Sequence, residues 1–211
     1  MPRTRKIPEK VDIAPLIESA MKNDEELSKH IQNLAGPTRR GRQISSTIVF
    51  EVANRDLSKI EPYAEDIVDG LNRPESQTRW EVLQTLTLLV DGHAKECMDC
   101  IEAAETALFD ENSGSLRLAA FVFLCKLGAT TEARSREVWP LIDEATQCCH
   151  GDIEFGDMLN SLVEFSDGKI DPEVAGELAE LMKFDAENST GNLFAKSTAI
   201  IDNCKIKSKK K

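Results

Sequence analysis

Apolar and polar residues along this chain come in blocks that return about every 37 residues. Arg42, Arg79 and Arg117 each open an apolar run, and they stand 37 and 38 residues apart. The runs cover 43–53, 80–90 and 118–127, and a fourth begins near Met158, with Asp157 where the arginine would stand. A fixed period in this range marks a solenoid, in which each helix pair buries its apolar face only by stacking on its neighbours. The pattern therefore predicts an architecture, but it leaves open which molecule the surface meets.

Within each period the spacing predicts a polar-faced A helix, a turn and an apolar B helix. A capping helix is expected over 11–22, where Ile13, Leu16, Ile17, Ala20 and Met21 share one face and Pro15 sits in the first turn. The A and B helices then fall near 24–35 and 40–54, 58–71 and 78–90, 94–109 and 115–127, 135–149 and 153–165, and 171–184 and 192–204. Gly36-Pro37, Pro74 and Asn112-Ser113-Gly114 break the pairs, with Gly114 and Gly151 free to take positive φ. Ser58, Ser135 and Asp171 are expected N-caps, and Pro140 should bend its helix. The whole reads as an all-α, right-handed solenoid of about five helix pairs with an N-terminal cap.

An A helix of the form Ile60-Glu61-Pro62-Tyr63 to Ile67-Val68-Asp69-Gly70-Leu71, then a polar turn and Thr78-Arg79, resembles the HEAT-repeat, armadillo-like family. Val138-Trp139-Pro140-Leu141-Ile142 has the same look, and the resemblance covers roughly 24–204. It implies that Arg42, Arg79 and Arg117 form a ladder with acidic turn residues, for which Glu75 and Asp110 or Glu111 are the candidates. Asp157 interrupts that ladder. The resemblance further implies a concave surface lined by B helices and a convex one built of A helices.

Charge is uneven. Of the net −11, residues 1–10 carry +3 and residues 203–211 carry +5, which leaves −19 for the body between them. The expected division is a basic leader over 1–10, one repeat domain over 11–204 and a basic tail over 205–211. So acidic a body repels phosphate backbones, which argues against nucleic acid except through the basic arms. It also departs from the positively charged face with which HEAT-like DNA glycosylases hold DNA. No apolar stretch reaches the ~18 residues of a membrane span, and the first residues lack the apolar segment of a signal peptide, which predicts a cytoplasmic protein. Cys97, Cys100, Cys125, Cys148, Cys149 and Cys204 then read as reduced, mostly buried thiols rather than disulfides.

Candidate chemistry is sparse. His93, Cys97 and Cys100 share a helical face, but the other thiol–imidazole group, Cys148-Cys149-His150, closes its A helix where Cys97 and Cys100 open theirs. That offset is about 12 Å at ~1.5 Å per residue, so one zinc ion cannot serve both groups. No phosphate loop, nucleophile elbow or His-Glu-x-x-His is present. No catalytic residue, metal or cofactor is expected.

Acids gather on A helices (Glu61, Glu65, Asp69, Glu102, Glu105 and Glu180 among them), which makes the convex side acidic. The third B helix is apolar nearly all round. Leu118, Phe121, Val122 and Cys125 are expected to face the core, leaving Ala119, Phe123 and Lys126 outward, near Glu81, Gln84, Thr85 and Leu88 of the preceding unit. Two readings stay open for this helix: a groove wall, or a fully buried core element. The functional expectation is a non-catalytic scaffold that binds a protein or peptide, with a bias to basic partners, through Glu81, Gln84, Thr85, Ala119, Phe123 and Lys126. The alternative is a nucleic-acid- or ribosome-associated protein using its basic arms.

Overall fold

A computed structural model describes residues 12–208. The helices are α1 (Ala14–Lys22), α2 (Asp24–Asn33), α3 (Arg39–Arg55), α4 (Ala64–Ile67), α5 (Ser76–Met98), α6 (Ile101–Leu108), α7 (Gly114–Gly128), α8 (Glu132–Cys148), α9 (Phe155–Asp167), α10 (Pro172–Leu181), α11 (Lys183–Asn188) and α12 (Gly191–Ser208). No strand occurs among the described residues. The helices form two layers. α3, α5, α7, α9 and α12 pack in series, and α2, α4 with the 3-10 turn that follows it, α6, α8 and α10 succeed one another along the other layer. The outcome is an all-α solenoid.

Local chemistry sets the helix ends. Asn23, Thr38, Ser113 and Thr131 each accept a backbone N–H of the helix that follows, which satisfies a donor the helix itself cannot. Asp171 caps α10 as expected. Ser135 does not cap, because α8 already starts from Thr131. It is instead buried, donating to the Glu132 carbonyl at 2.7 Å and accepting Asp171 N–H at 2.9 Å. Pro140 lies in the interior of α8 on its exposed side.

The second A element departs most from expectation. Instead of one helix over 58–71, the chain makes 3-10 turns at Leu57–Lys59, Glu61–Tyr63 and Val68–Asn72 around the single turn of α4. Pro62 explains the interruption, since it has no N–H to give and its ring crowds the carbonyl four residues back. Ser58 falls in the first of these turns, where its hydroxyl bonds Asp56 at 2.6 Å, so it caps no helix. The opposite departure follows. α5 runs on to Met98 with only His93 leaving helical geometry (φ −127, ψ 32), so the second B helix and the start of the third A helix share one kinked rod.

Of the two turn glycines free to take positive φ, one does. Gly151 has φ +93, as its turn requires, whereas Gly114 is helical. A Cβ at Gly114 would meet only the tip of the flexible Glu154 side chain, which can swing aside. The core runs the length of the molecule and is densest around α7, where Phe121, Phe123 and Leu124 are fully buried. Trp139 of α8 stacks on Phe165 of α9 with centroids 6.3 Å apart. α12 continues to Ser208, into the stretch expected as a tail, while the basic leader lies outside the described residues.

Candidate partner-binding face

Polar cross-links between units mostly join residues 30–40 positions apart, one repeat along. Arg42 forks onto both Glu75 oxygens and also donates to the Gly36 carbonyl at 2.8 Å. That guanidinium holds the buried Glu75 carboxyl below the usual carboxylate range. Arg79 reaches Asp110 at 3.6 Å, and Arg117 reaches Asp152 at 3.5 Å and Glu154 at 3.8 Å. The ladder thus takes Glu75 and Asp110 of the candidate acids. Asp157 is exposed and contributes no rung. Beyond it, Lys196 reaches back to the Gly156 carbonyl at 2.6 Å, Asn203 to Ser166 at 3.0 Å, and Lys207 to the Gly168 carbonyl.

With the units locked in register, the outer face of the B-helix layer carries a groove of about 480 Å³ between α3, α5 and α7. Phe50, Trp80, Leu88, Leu118 and Val122 give it half-buried apolar walls, and Asn54, Gln84 and Ser115 give it exposed polar edges. Asn54 is held by the Phe50 carbonyl at 3.0 Å, whereas the Gln84 amide has no hydrogen-bond partner among the described residues. Lys126 and Asp91 pair at 2.9 Å just beyond the groove.

Behind the wall sits Glu81, only 7% exposed. Its carboxylate accepts from Ser46 at 2.5 Å, Thr47 at 2.8 Å and Gln77 at 3.3 Å, and no cation faces it. Burial pushes its carboxyl up, the three donors pull it partly back, and the nearby Glu51 carboxylate adds to the upward shift.

Leu118 and Val122, expected inward, line the groove, and Phe123, expected outward, is fully buried. Neighbours surround α7 on most sides, so its apolar residues carry no single inward stripe. Its open line runs through Ser115, Leu118 and Val122 to Lys126. Of the other expected contacts, Gln84 and Ala119 line the groove, Lys126 is half-buried, and Glu81 and Thr85 are buried. Trp80 and Phe50 went unnoticed in the sequence. The signal was present in the i, i+4, i+8 line from Trp80 through Gln84 to Leu88.

A larger hollow of about 630 Å³ lies toward the other edge, under Lys126, Arg134 and Lys169 and beside Asp91, Glu164 and Asp167. Val90, Ala94, Cys125, Ala129 and Phe165 also line it, but its acids and bases offset one another, so the smaller and less charged groove is the better peptide site. Five of the six thiols are buried. Burial pushes Cys97 up to about 11 and Cys100 up to about 12, while Cys125, Cys149 and Cys204 are likewise buried and Cys148 is exposed. Among the described residues no three His, Cys, Asp or Glu side chains are placed to hold a metal ion. Nor is any helix there long and apolar enough to cross a membrane.

These layers and ladders define a helical-repeat solenoid of the armadillo/HEAT-like kind. Solved structures of the same shape include an engineered protein, a structural-genomics target, at TM-score 0.67 and 11% identity over 96% of this chain and 95% of that one. A designed armadillo repeat protein matches at TM-score 0.65 and 14% identity over 84% and 81%. A second, in complex with the peptide (KR)4, matches at TM-score 0.66 and 10% identity over 91% of each chain. No protein-family model matches the chain, and no curated protein does.

Proposed function

We propose that this protein is a non-catalytic scaffold that binds a protein or peptide segment along a concave face of B helices, in the groove between α3, α5 and α7. The observation that carries the reading is an apolar wall of Trp80, Leu88, Leu118 and Val122 beside an amide, Gln84, with no partner of its own. Such a pairing suits an extended segment, whose side chains need apolar cover while its backbone needs polar contacts. Gln84 and Ala119 touch the segment, and Lys126 stands at one end of it. Glu81 contributes negative potential from behind, and Thr85 and Phe123 brace the wall. The body's charge of −19 and the unpaired carboxylates of Glu51 and Glu81 favour a basic segment. The peptide (KR)4 held by one structural neighbour is in keeping with that choice. The protein would act in the cytoplasm, with neither metal nor cofactor.

Titrating the full chain with a Lys/Arg-rich peptide, read by Trp80 fluorescence against a Trp139→Phe background, tests this directly. Binding should weaken at least about tenfold in Leu118→Glu at unchanged melting temperature, and an acidic peptide should not compete. Undiminished binding in that variant would overturn the groove. Capture that disappears with nuclease treatment, or on removing 203–211, would favour the nucleic-acid reading instead.

A further inference from the structure

The two ends of the solenoid are finished differently. At the N-terminal end α1 turns Ile17 and Ala20 inward and presents Glu18, Ser19 and Lys22 to solvent. At the other end α11 and α12 expose Phe184 (72%), Phe194 (46%) and Ile206 (61%), three of the five large exposed apolar residues among those described. A solenoid end without a polar cap is an unfilled stacking position.

The exposed stripe of α12 has an order of its own. Ser197, Ile200 and Cys204 point into the core, and Lys196, Asn203 and Lys207 reach back to the α9 segment and its end. The opposite side carries Phe194, Ala195, Thr198, Asp202, Lys205 and Ile206, all exposed except the half-buried Thr198. About Ile200 this stripe is balanced: Phe194 mirrors Ile206, Ala195 mirrors Lys205, and Thr198 mirrors Asp202.

We propose that this face docks a second copy of the chain, with the two α12 helices antiparallel across a two-fold axis near Ile200. In that register Phe194 of one copy covers Ile206 of the other. The small Ala195 takes the stem of Lys205, and the Thr198 hydroxyl donates to the Asp202 carboxylate. The contact is isologous, so one surface serves both subunits. A parallel pairing would set Asp202 against Asp202 and Lys205 against Lys205, which like-charge repulsion disfavours. Head-to-tail stacking onto α1 is disfavoured as well, because among the described residues α1 exposes no large apolar side chain. At ~1.5 Å per residue the helix spans about 27 Å, a contact suited to a reversible dimer.

Sedimentation equilibrium of the full chain should give a concentration-dependent monomer–dimer equilibrium, and Phe194→Asp should weaken it at least about tenfold with the melting temperature held. Orientation is read by cross-linking in a Cys148→Ser background, which removes the exposed thiol. Phe194→Cys mixed with Ile206→Cys should form a covalent heterodimer under mild oxidation, whereas each variant alone should not. In the antiparallel register two copies of the same position stand about 18 Å apart along the paired helices, too far for a disulfide. A strict monomer at every concentration overturns the dimer, and self-cross-linking of either single variant overturns the antiparallel register. Neither result bears on the peptide groove, which lies on other helices.

Discussion

The junction between α3 and α5 and the junction between α9 and α12 join the same kinds of helix by opposite means. At the first, a charged side chain of the earlier unit reaches forward: Arg42 grips Glu75 while Ser46 and Thr47 bind Glu81. At the second, Lys196, Asn203 and Lys207 of the later unit reach backward, mainly to carbonyls of the α9 segment and its end. A forward rung needs an acid in the next turn and an arginine at the head of the B helix, and Asp157 removes that arginine. Stacking survives the loss, since α9 and α12 still pack closely. Apolar burial therefore holds the layers together, and the ladder sets their register.

The difference can be broken in several ways. The largest effect is expected in the shared core. Phe123→Ala, fully buried at the centre, should cost about 3–5 kcal/mol, whereas Phe194→Ala on the open end should fall within about 0.5 kcal/mol for the monomer, both by chemical denaturation. Next comes the ladder. Glu75→Ala leaves the Arg42 guanidinium without its carboxylate and should lower the melting temperature by several degrees, while Asp157→Ala should leave it unchanged. Smaller again is the contrast between the two buried acids of the first junction. The Glu75 pKa is depressed below its ordinary 4.5, so its stabilisation is present above that pH and is lost as pH falls through the lowered value. Glu81 is shifted up, so its favourable protonated form is complete below 4.5 and is lost as pH rises through the raised value. Stability-versus-pH curves should therefore show Glu75→Gln flattening the loss on the acid side and Glu81→Gln gaining stability toward neutral pH. The smallest effect belongs to the exposed Lys126–Asp91 pair, where Asp91→Asn should change stability by less than about 1 kcal/mol.

Much of this was legible in the sequence, and the limits have physical causes. The arginine spacing pointed to stacked helix pairs, and the resemblance to HEAT repeats pointed to Glu75 and to Asp110 or Glu111 as rungs, of which the structure takes Glu75 and Asp110. Helix ends were legible where a single cap decides them, as at Asp171, and illegible where a competitor stood a few residues earlier, as Thr131 did for Ser135. The broken second A element was written in Pro62, which lies too far inside the expected helix over 58–71 to be tolerated as a first-turn proline. On α7 the inward face could not be found from periodicity, since a helix enclosed by four others has apolar residues on every side. Only packing reveals that Leu118 and Val122, not Phe123, border the groove.

The unbroken passage of α5 from one B helix into the next A helix has a consequence for how the chain can be divided. Elsewhere the units meet through turns such as 129–131 or 168–171, where the backbone leaves its ladder of hydrogen bonds and a protease or an inserted sequence finds a foothold. Between the second and third units no such seam exists, only one bent residue at His93. These two units, which together supply most of the groove, therefore form a single continuous block, so a graft that keeps the groove must take both.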